Sequence, residues 1–236
     1  MSNVWLTIPS CRPGGGTIPA WRERGYKIAV LRQNEPIEAD IQIRTGEYLG
    51  WARSTNILAK LVMQVDPLAM WCVSGGDDTL PEPNRTPDEI AAQLTAHFGG
   101  TFGVMQPTGD RWCDSDTSRA MFGQHRGAII DRIAGSPWMG REWIERAYGG
   151  NGPMFAEHYH CWSDQELCEV AEKMGVYWRR RDLTHRHNHW LRDNDNLTGR
   201  TDEPQSWRVA SEDYMRGRAL FEERKRLNFP GSDPLL

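Results

Sequence analysis

Two adjacent carboxylates follow a short apolar run near the middle of the chain. Met70–Val73 is apolar and predicts a buried strand, and Gly75, Gly76, Asp77 and Asp78 come soon after it. Glycines let a backbone turn and approach a ligand closely. Carboxylate oxygens are the ligands that Mg²⁺ and Mn²⁺ prefer when they also bind substrate phosphates. The pattern indicates a divalent metal site at the end of a strand. The alternative is a surface turn, because Gly-Gly-Asp-Asp is also a typical turn sequence.

A second candidate group is a set of three histidines at alternate positions, His185, His187 and His189. If this stretch is extended, all three side chains lie on one face, because strand side chains alternate. Histidine is a common transition-metal ligand, and histidine combined with two carboxylates suits Mn²⁺. The alternative is a polar strand edge with unrelated histidines.

Arginines cluster around the histidines, and guanidinium groups bind phosphate in a bidentate fashion. They could neutralise a diphosphate leaving group or contact a nucleic-acid backbone. A solvated charged face is the other interpretation. The arginines are Arg179, Arg180, Arg181, Arg186 and Arg192.

Asp164 has two interpretations. The run Ser163–Glu166 has the pattern of a capping box, in which Asp164 favours the helix dipole and Glu166 caps the helix start. Asp164 also follows His158 and His160 closely, and a carboxylate in such surroundings could serve as a general base.

The elements that must position these groups follow an α/β order. Strands are predicted at Val4–Ile8 and Tyr26–Leu31, and apolar residues recur at helical spacing over Trp51–Val65, just before the central strand. This order predicts a mostly parallel sheet with flanking helices, in which ligands bind at the carboxyl edge. The Gly-rich loop Ser10–Thr17 lacks the Gly-Lys-Ser/Thr ending of a Walker A loop, but it could approach a nucleotide.

The later part of the chain contains further predicted elements. Thr86–Glu89 is a capping box that begins a helix, Ala128–Ile133 is predicted as a strand, and Tyr214–Leu227 is predicted as a helix. Residues from 192 onward are polar and charged. We therefore predict a domain over residues 1–191 and a helical extension over residues 192–236.

The composition narrows the class of protein. The chain has 236 residues, a net charge of −4 and five cysteines without a Cys-x-x-Cys pair. Such cysteine usage is typical of reduced intracellular thiols, and the net charge gives no argument for nonspecific binding to nucleic acid or membranes. With neither a signal peptide nor a long apolar run in view, we expect a cytoplasmic protein without a membrane partner.

Taken together, these segments resemble a GT-A glycosyltransferase of the small kind related to family-2 enzymes and often encoded by phages. The resemblance covers roughly residues 4–190. Gly76-Asp77-Asp78 stands where that family has its Asp-x-Asp metal motif, with Gly76 in place of the first aspartate. The other segments that carry the resemblance are Ile8-Pro9-Ser10, the helix with Arg53 and Asn56, Gly75–Pro83, Ser136–Arg141, Trp162–Leu167 and the histidine stretch.

The resemblance implies a GT-A (Rossmann-like) sheet and a metal-dependent transfer of a sugar from a nucleoside diphosphate sugar, most readily a UDP-sugar, to a hydroxyl group. It implies Asp164 as the catalytic base and Mn²⁺ or Mg²⁺ as the cofactor. The metal ligands would come from Asp77, Asp78, His187 and His185. Nucleotide-sugar contacts would come from Pro9, Arg12, Arg53, Asn56, Gly76 and Asp77.

The sequence does not identify the acceptor of the sugar. If the enzyme is phage-encoded, a hydroxymethylated pyrimidine in DNA in the host cytoplasm is one candidate, with Trp178 and the arginine cluster as stacking platform and backbone clamp. Two other classes compete with the transferase. One is a metal-dependent nuclease or hydrolase built on the His185–His189 stretch, and the other is a non-catalytic nucleotide-sugar binding module.

Overall fold

The structure is a computed structural model that describes residues 2–33, 35–110, 133–188 and 205–235. The helices are α1 Ile18–Glu23, α2 Trp51–Val65, α3 Pro87–Phe98, α4 Arg141–Arg146, α5 Ser163–Lys173 and α6 Gln205–Arg226. The strands are β1 Val4–Ser10, β2 Lys27–Arg32, β3 Ile41–Arg44, β4 Trp71–Val73, β5 Thr79–Leu80, β6 Val104–Pro107, β7 Trp138–Gly140, β8 Tyr177–Arg180 and β9 Arg186–His187. Most of the predicted strand at Ala128–Ile133 lies outside the described residues.

The main sheet has seven strands in the order β3-β2-β1-β4-β7-β6-β8. Strand β7 runs antiparallel to both of its neighbours, and every other pairing in this sheet is parallel. A separate antiparallel pair joins β5 to β9. The predicted α/β fold with a mostly parallel central sheet is therefore confirmed.

Apolar side chains cover both faces of this sheet. Along β1, Leu6 and Ile8 lie in one core cluster with residues of α1 and α3, whereas Trp5 lies in the other with residues of α2, α4 and α5. This alternation follows from the two-residue repeat of a strand. Burial on both faces is the arrangement expected for a parallel sheet, and it leaves the strand ends available for ligands.

The two predicted capping boxes have different outcomes. At α3 the box is confirmed, because Thr86 accepts a hydrogen bond from the Glu89 backbone and Glu89 binds back to the Thr86 backbone. At α5 the prediction is wrong, because the N-cap residue is Trp162 and its side chain makes no capping hydrogen bond. The Glu166 carboxylate is instead buried against other partners, as described below.

Helix α6 packs onto α5 and the segment that precedes it. Phe221 is buried in the same core cluster as α5, and Arg224 reaches the Glu166 carboxylate with hydrogen bonds of 2.8–3.1 Å. The division of the chain near residue 192 stays a prediction. Within the described ranges, no helix has the length and apolar character needed to cross a bilayer.

Candidate functional site

The predicted carboxylate pair lies beyond the carboxyl end of β4, where the loop after β1 also arrives. Arg12 Nε lies 2.8 Å from Asp77 Oδ1, and Ser10 Oγ donates a 2.7 Å hydrogen bond to Asp77 Oδ2. Parallel strands bring their carboxyl ends to the same edge of the sheet, which is where ligands bind in open α/β folds. The structure therefore brings together Arg12 and Asp77, which the sequence analysis assigned to one site.

Asp78 completes this arrangement. Its Oδ2 atom lies 3.0 Å from Arg12 Nη2, and its Oδ1 atom lies 3.2 Å from His187 Nε2. The side chains of Arg12, Asp77 and Asp78 are 19%, 13% and 16% exposed. Each of the four carboxylate oxygens thus contacts a protein group in a largely enclosed position.

Gly76 leaves room for the Asp78 side chain. A Cβ atom at position 76 would collide with Asp78 Oδ1, the oxygen that faces His187. Any side chain at position 76 would therefore push the Asp78 carboxylate away from the histidine. The glycine allows the Asp78 carboxylate to lie close to the backbone of residue 76.

The Gly-rich loop is docked directly on the carboxylate motif. The Thr17 backbone donates a 3.0 Å hydrogen bond to the Asp77 carbonyl. Gly16 has a φ of 61°, and a Cβ atom there would collide with the same carbonyl. Thr17 Oγ1 and Trp21 Nε1 also donate to the Thr79 carbonyl at 2.7 and 2.6 Å. The loop is therefore an ordered wall of the site.

The β5–β9 pair brings His187 to the motif. Thr79 pairs with His187, and the Asn188 backbone donates a 2.7 Å hydrogen bond to the Asp78 carbonyl. Asp110, to which the sequence analysis gave no role, accepts a 2.7 Å hydrogen bond from the His187 backbone. The available signal was its place just after β6, because β6 ends at the same edge as β1 and β4.

His185 occupies a different environment from His187. It is buried, with Nδ1 2.7 Å from Ser136 Oγ and Nε2 accepting a 3.4 Å hydrogen bond from Trp138. Burial lowers the pKa of His185 to about 3, so the ring is neutral at physiological pH. Both ring nitrogens contact core residues, so the structure does not bring His185 to the carboxylate pair. His189 lies outside the described residues.

The donor atoms fit a divalent cation shared with a ligand. Within the described ranges, no group of three or more His, Cys, Asp and Glu side chains is arranged to hold a metal. In an octahedral site, two neighbouring metal–ligand bonds of about 2.1 Å meet at a right angle, so the two ligand atoms lie about 3 Å apart. Asp78 Oδ1 and His187 Nε2 are 3.2 Å apart, close to that separation. A site with few protein ligands suits Mg²⁺ or Mn²⁺, which takes its remaining ligands from phosphate and water.

The helix residues predicted to contact a nucleotide-sugar make structural contacts. The Asn56 amide binds both backbone groups of Met154, at 2.7 and 3.1 Å, and Arg53 Nε donates to the Ala156 carbonyl at 3.0 Å. Pro9 lies within β1, one residue before Ser10. Roles for these three residues in nucleotide binding stay predictions.

Asp164 lies half-buried in the first turn of α5. Its Oδ1 atom accepts a 3.0 Å hydrogen bond from the Gln165 backbone. Burial raises the pKa of the Asp164 carboxyl to about 6, against the opposing effect of that hydrogen bond and the charge of His158. A carboxylate with a pKa close to the working pH is suited to accept a proton.

The residue before α5 has an uncommon backbone conformation. Trp162 has a φ of 76°, in the left-handed region. Its ring packs 5.3 Å from Tyr214 and 5.2 Å from Phe221, and its Nε1 donates a 3.2 Å hydrogen bond to the Tyr214 carbonyl. Helix α6 therefore holds the turn from which Asp164 projects.

A further polar pair joins Tyr48 to His160, a residue close to Asp164 in the sequence. Tyr48 Oη lies 2.7 Å from His160 Nδ1. Burial lowers the pKa of His160, whereas the charges of Asp213 and Asp78 act in the opposite direction. Burial, together with the charges of Asp164 and Asp213, raises the pKa of the Cys161 thiol to about 12. Residues 160–161 thus lie within electrostatic range of both Asp78 and Asp164.

Two arginines of the cluster pair with acidic side chains, and Arg192 lies outside the described residues. Arg179 pairs with Glu172, and Arg180 pairs with Asp182 at 2.7 Å, which lowers the Asp182 pKa to about 2. Trp178 stacks on His97 with ring centroids 3.8 Å apart. A role for this cluster as a nucleic-acid clamp stays a prediction.

Comparison with known proteins gives no identification. No family model matches the chain, and no curated protein matches it significantly. The assignment of function therefore rests on the residues and their geometry.

Proposed function

We propose that this chain is a metal-dependent glycosyltransferase that moves a sugar from a nucleoside diphosphate sugar to a hydroxyl acceptor. The observation that carries the proposal is the grouping of Arg12, Asp77, Asp78 and His187 at the carboxyl edge of a mostly parallel sheet. Such an edge is the usual ligand site of an open α/β fold. The GT-A resemblance of the sequence is compatible with this sheet.

The chemistry needed at a diphosphate agrees with these side chains. Asp78 and His187 would hold Mn²⁺ or Mg²⁺, and Asp77 adds negative charge beside them. A bound cation of this kind neutralises the charge that develops on a diphosphate leaving group. Arg12 provides a planar guanidinium that binds phosphate oxygens in pairs. The Gly-rich loop lets the backbone lie close to the nucleotide.

Asp164 is the proposed base for the acceptor hydroxyl. As an anion it would accept the hydroxyl proton while the acceptor oxygen attacks the anomeric carbon and the diphosphate leaves. Its raised pKa keeps the carboxylate basic enough for this step near neutral pH.

Replacing Asp78 tests the donor site. We expect Asp78→Ala to weaken Mn²⁺-dependent binding of a UDP-sugar at least about tenfold. Loss of a residue that only hydrogen-bonds to a metal ligand can already weaken metal binding by that factor, and Asp78 is a proposed ligand itself. Calorimetry with and without Mn²⁺ measures this change. Asp88→Ala removes an exposed carboxylate in the first turn of α3 and serves as the matched control. Unchanged Mn²⁺-dependent affinity in Asp78→Ala would contradict the proposal.

The competing classes make different forecasts. A nuclease built on the histidine stretch needs His185 at its metal, whereas the buried ring contacts Ser136 and Trp138. A silent binding module would bind the UDP-sugar without turnover. Hydroxymethylated DNA and simple sugars are the acceptors to screen for transfer.

A further inference from the structure

The four oxygens of Asp77 and Asp78 are all engaged by protein groups. Arg12 contacts one oxygen of each carboxylate, at 2.8 and 3.0 Å. Ser10 takes the second oxygen of Asp77, and His187 faces the second oxygen of Asp78. A cation that binds either carboxylate directly must therefore share it with a protein group that already contacts it.

The Arg12 side chain can leave the carboxylates without movement of the backbone. Its carbonyl accepts a 3.0 Å hydrogen bond from the Gly15 backbone, and the loop beyond it is docked on Asp77 through Thr17. The loop backbone is thus fixed, while the side chain has several rotatable bonds. By contrast, His187 is held by the β5–β9 pairing and by Asp110.

The charges argue against Arg12 and a divalent cation sharing this position. A divalent cation placed at these carboxylates would lie a few ångströms from the Arg12 guanidinium, and the two like charges would repel each other. A diphosphate offers the guanidinium a new bidentate partner. The phosphate oxygens would then complete the coordination of a cation at Asp78.

We propose that the Arg12 guanidinium competes with the cation for the Asp77 and Asp78 carboxylates. In the free protein it contacts one oxygen of each carboxylate beside the proposed metal position, and it moves to the diphosphate when the nucleotide binds. Metal binding is then conditional on the nucleotide, and the protein alone has low affinity for Mn²⁺. This inference rests on the proposed donor site, and it adds the order in which that site fills.

The test measures binding of Mn²⁺ alone, by the electron paramagnetic resonance signal of the free ion. We expect Arg12→Gln to bind Mn²⁺ at least about tenfold more tightly than the unmodified protein, a factor within the usual range of coupling between sites. The same variant should bind UDP with Mn²⁺ more weakly, because the diphosphate loses its guanidinium. Arg22→Gln removes the arginine that pairs with Asp40 on another surface and is the control.

The outcomes separate the inference from the proposed function. Suppose that Arg12→Gln binds Mn²⁺ no more tightly than the unmodified protein, and that the unmodified protein still binds Mn²⁺ in the presence of UDP. That result overturns the competition between Arg12 and the cation but not the proposed donor site. Absence of Mn²⁺ binding in both proteins, with and without UDP, overturns the proposed donor site and the inference with it. If Arg12→Gln does not fold, Arg12→Met, which also removes the positive charge, is measured instead. The Mn²⁺ affinity of that variant should likewise exceed that of the unmodified protein.

Discussion

Replacement of Arg224 by methionine should lower the free energy of unfolding by about 3–5 kcal/mol, the usual cost of leaving a buried charge without its partner. The Glu166 side chain is fully buried and receives three hydrogen bonds from Arg224, and His158 Nε2 lies 3.0 Å from it. Methionine preserves most of the packing volume over the Phe155 ring. Chemical denaturation of the variant measures the change.

The neighbouring residue provides the control for Arg224. Lys225 pairs with Glu169 on the surface of the same two helices, at 2.6 Å and with both side chains partly exposed. Lys225→Met should cost less than about 1 kcal/mol, because exposed ion pairs contribute little. If both variants lose the same small amount, Glu166 does not depend on Arg224 for compensation.

The Glu166 pair also has a predictable pH dependence. Burial acts to raise the pKa of Glu166, but hydrogen bonds from His158 and Arg224 outweigh it and the pKa is lowered. A carboxyl group whose pKa is lower in the folded protein stabilises it fully when the pH is above the pKa of the unfolded chain. This stability is lost as the pH falls through the pKa of the folded protein. Arg224→Met should therefore flatten the acid side of the stability profile.

Asp164→Asn should reduce sugar transfer by roughly a hundredfold or more, the usual contribution of a positioned general base. Donor affinity should remain nearly unchanged, because the side chain does not contact the carboxylate pair. In the unmodified protein, kcat/KM should rise with pH through an apparent pKa of about 6, where Asp164 loses its proton. Transfer rates across that pH range, measured with an acceptor found by screening, check the prediction.

The stability of the same variant provides an independent measurement. The folded-state pKa of Asp164 lies above its ordinary value, so the folded protein binds the proton more tightly than the unfolded chain. Its contribution is therefore fully present at low pH and is lost as the pH rises from about 4 to about 6, by up to about 3 kcal/mol. Asp164→Asn should remove this loss and unfold at a higher temperature than the unmodified protein at pH 8.

The control for Asp164 is Glu169→Gln, a neutral replacement of a partly exposed carboxylate on the same helix. It should leave both the transfer rate and its pH dependence in place. A purely structural role for Asp164 is the conclusion if Asp164→Asn transfers sugar at the unmodified rate.

Regular patterns in the sequence predicted the elements that have strong local signals. Helix α2 was predicted with its observed bounds, Trp51–Val65, and the α3 capping box formed as expected. Strands β5 and β9 have only two residues each, too few for any periodicity. Their pairing depends on contacts between residues far apart in the sequence, which local patterns do not record.

Long-range partners also explain why local patterns misplaced Glu166 and did not separate His185 from His187. Glu166 occupies the capping-box position, but Arg224, 58 residues away, binds it in the interior. His185 and His187 share the spacing of one strand face, yet β9 covers only Arg186–His187. His185 therefore precedes the strand and turns toward Ser136 in the core. The Asp77–Asp78 motif was recognised because adjacent carboxylates after a buried strand form a local signal.

The left-handed conformation of Trp162 also stores energy at the start of the proposed catalytic helix. A bulky residue in this region is strained by about 1–3 kcal/mol, and such strain persists only where surrounding contacts determine it. Those contacts come from Tyr214 and Phe221 of α6. Contacts from helix α6 therefore hold Trp162 in its strained conformation. Releasing these contacts would let Trp162 relax and carry the Asp164 carboxylate away from its present position.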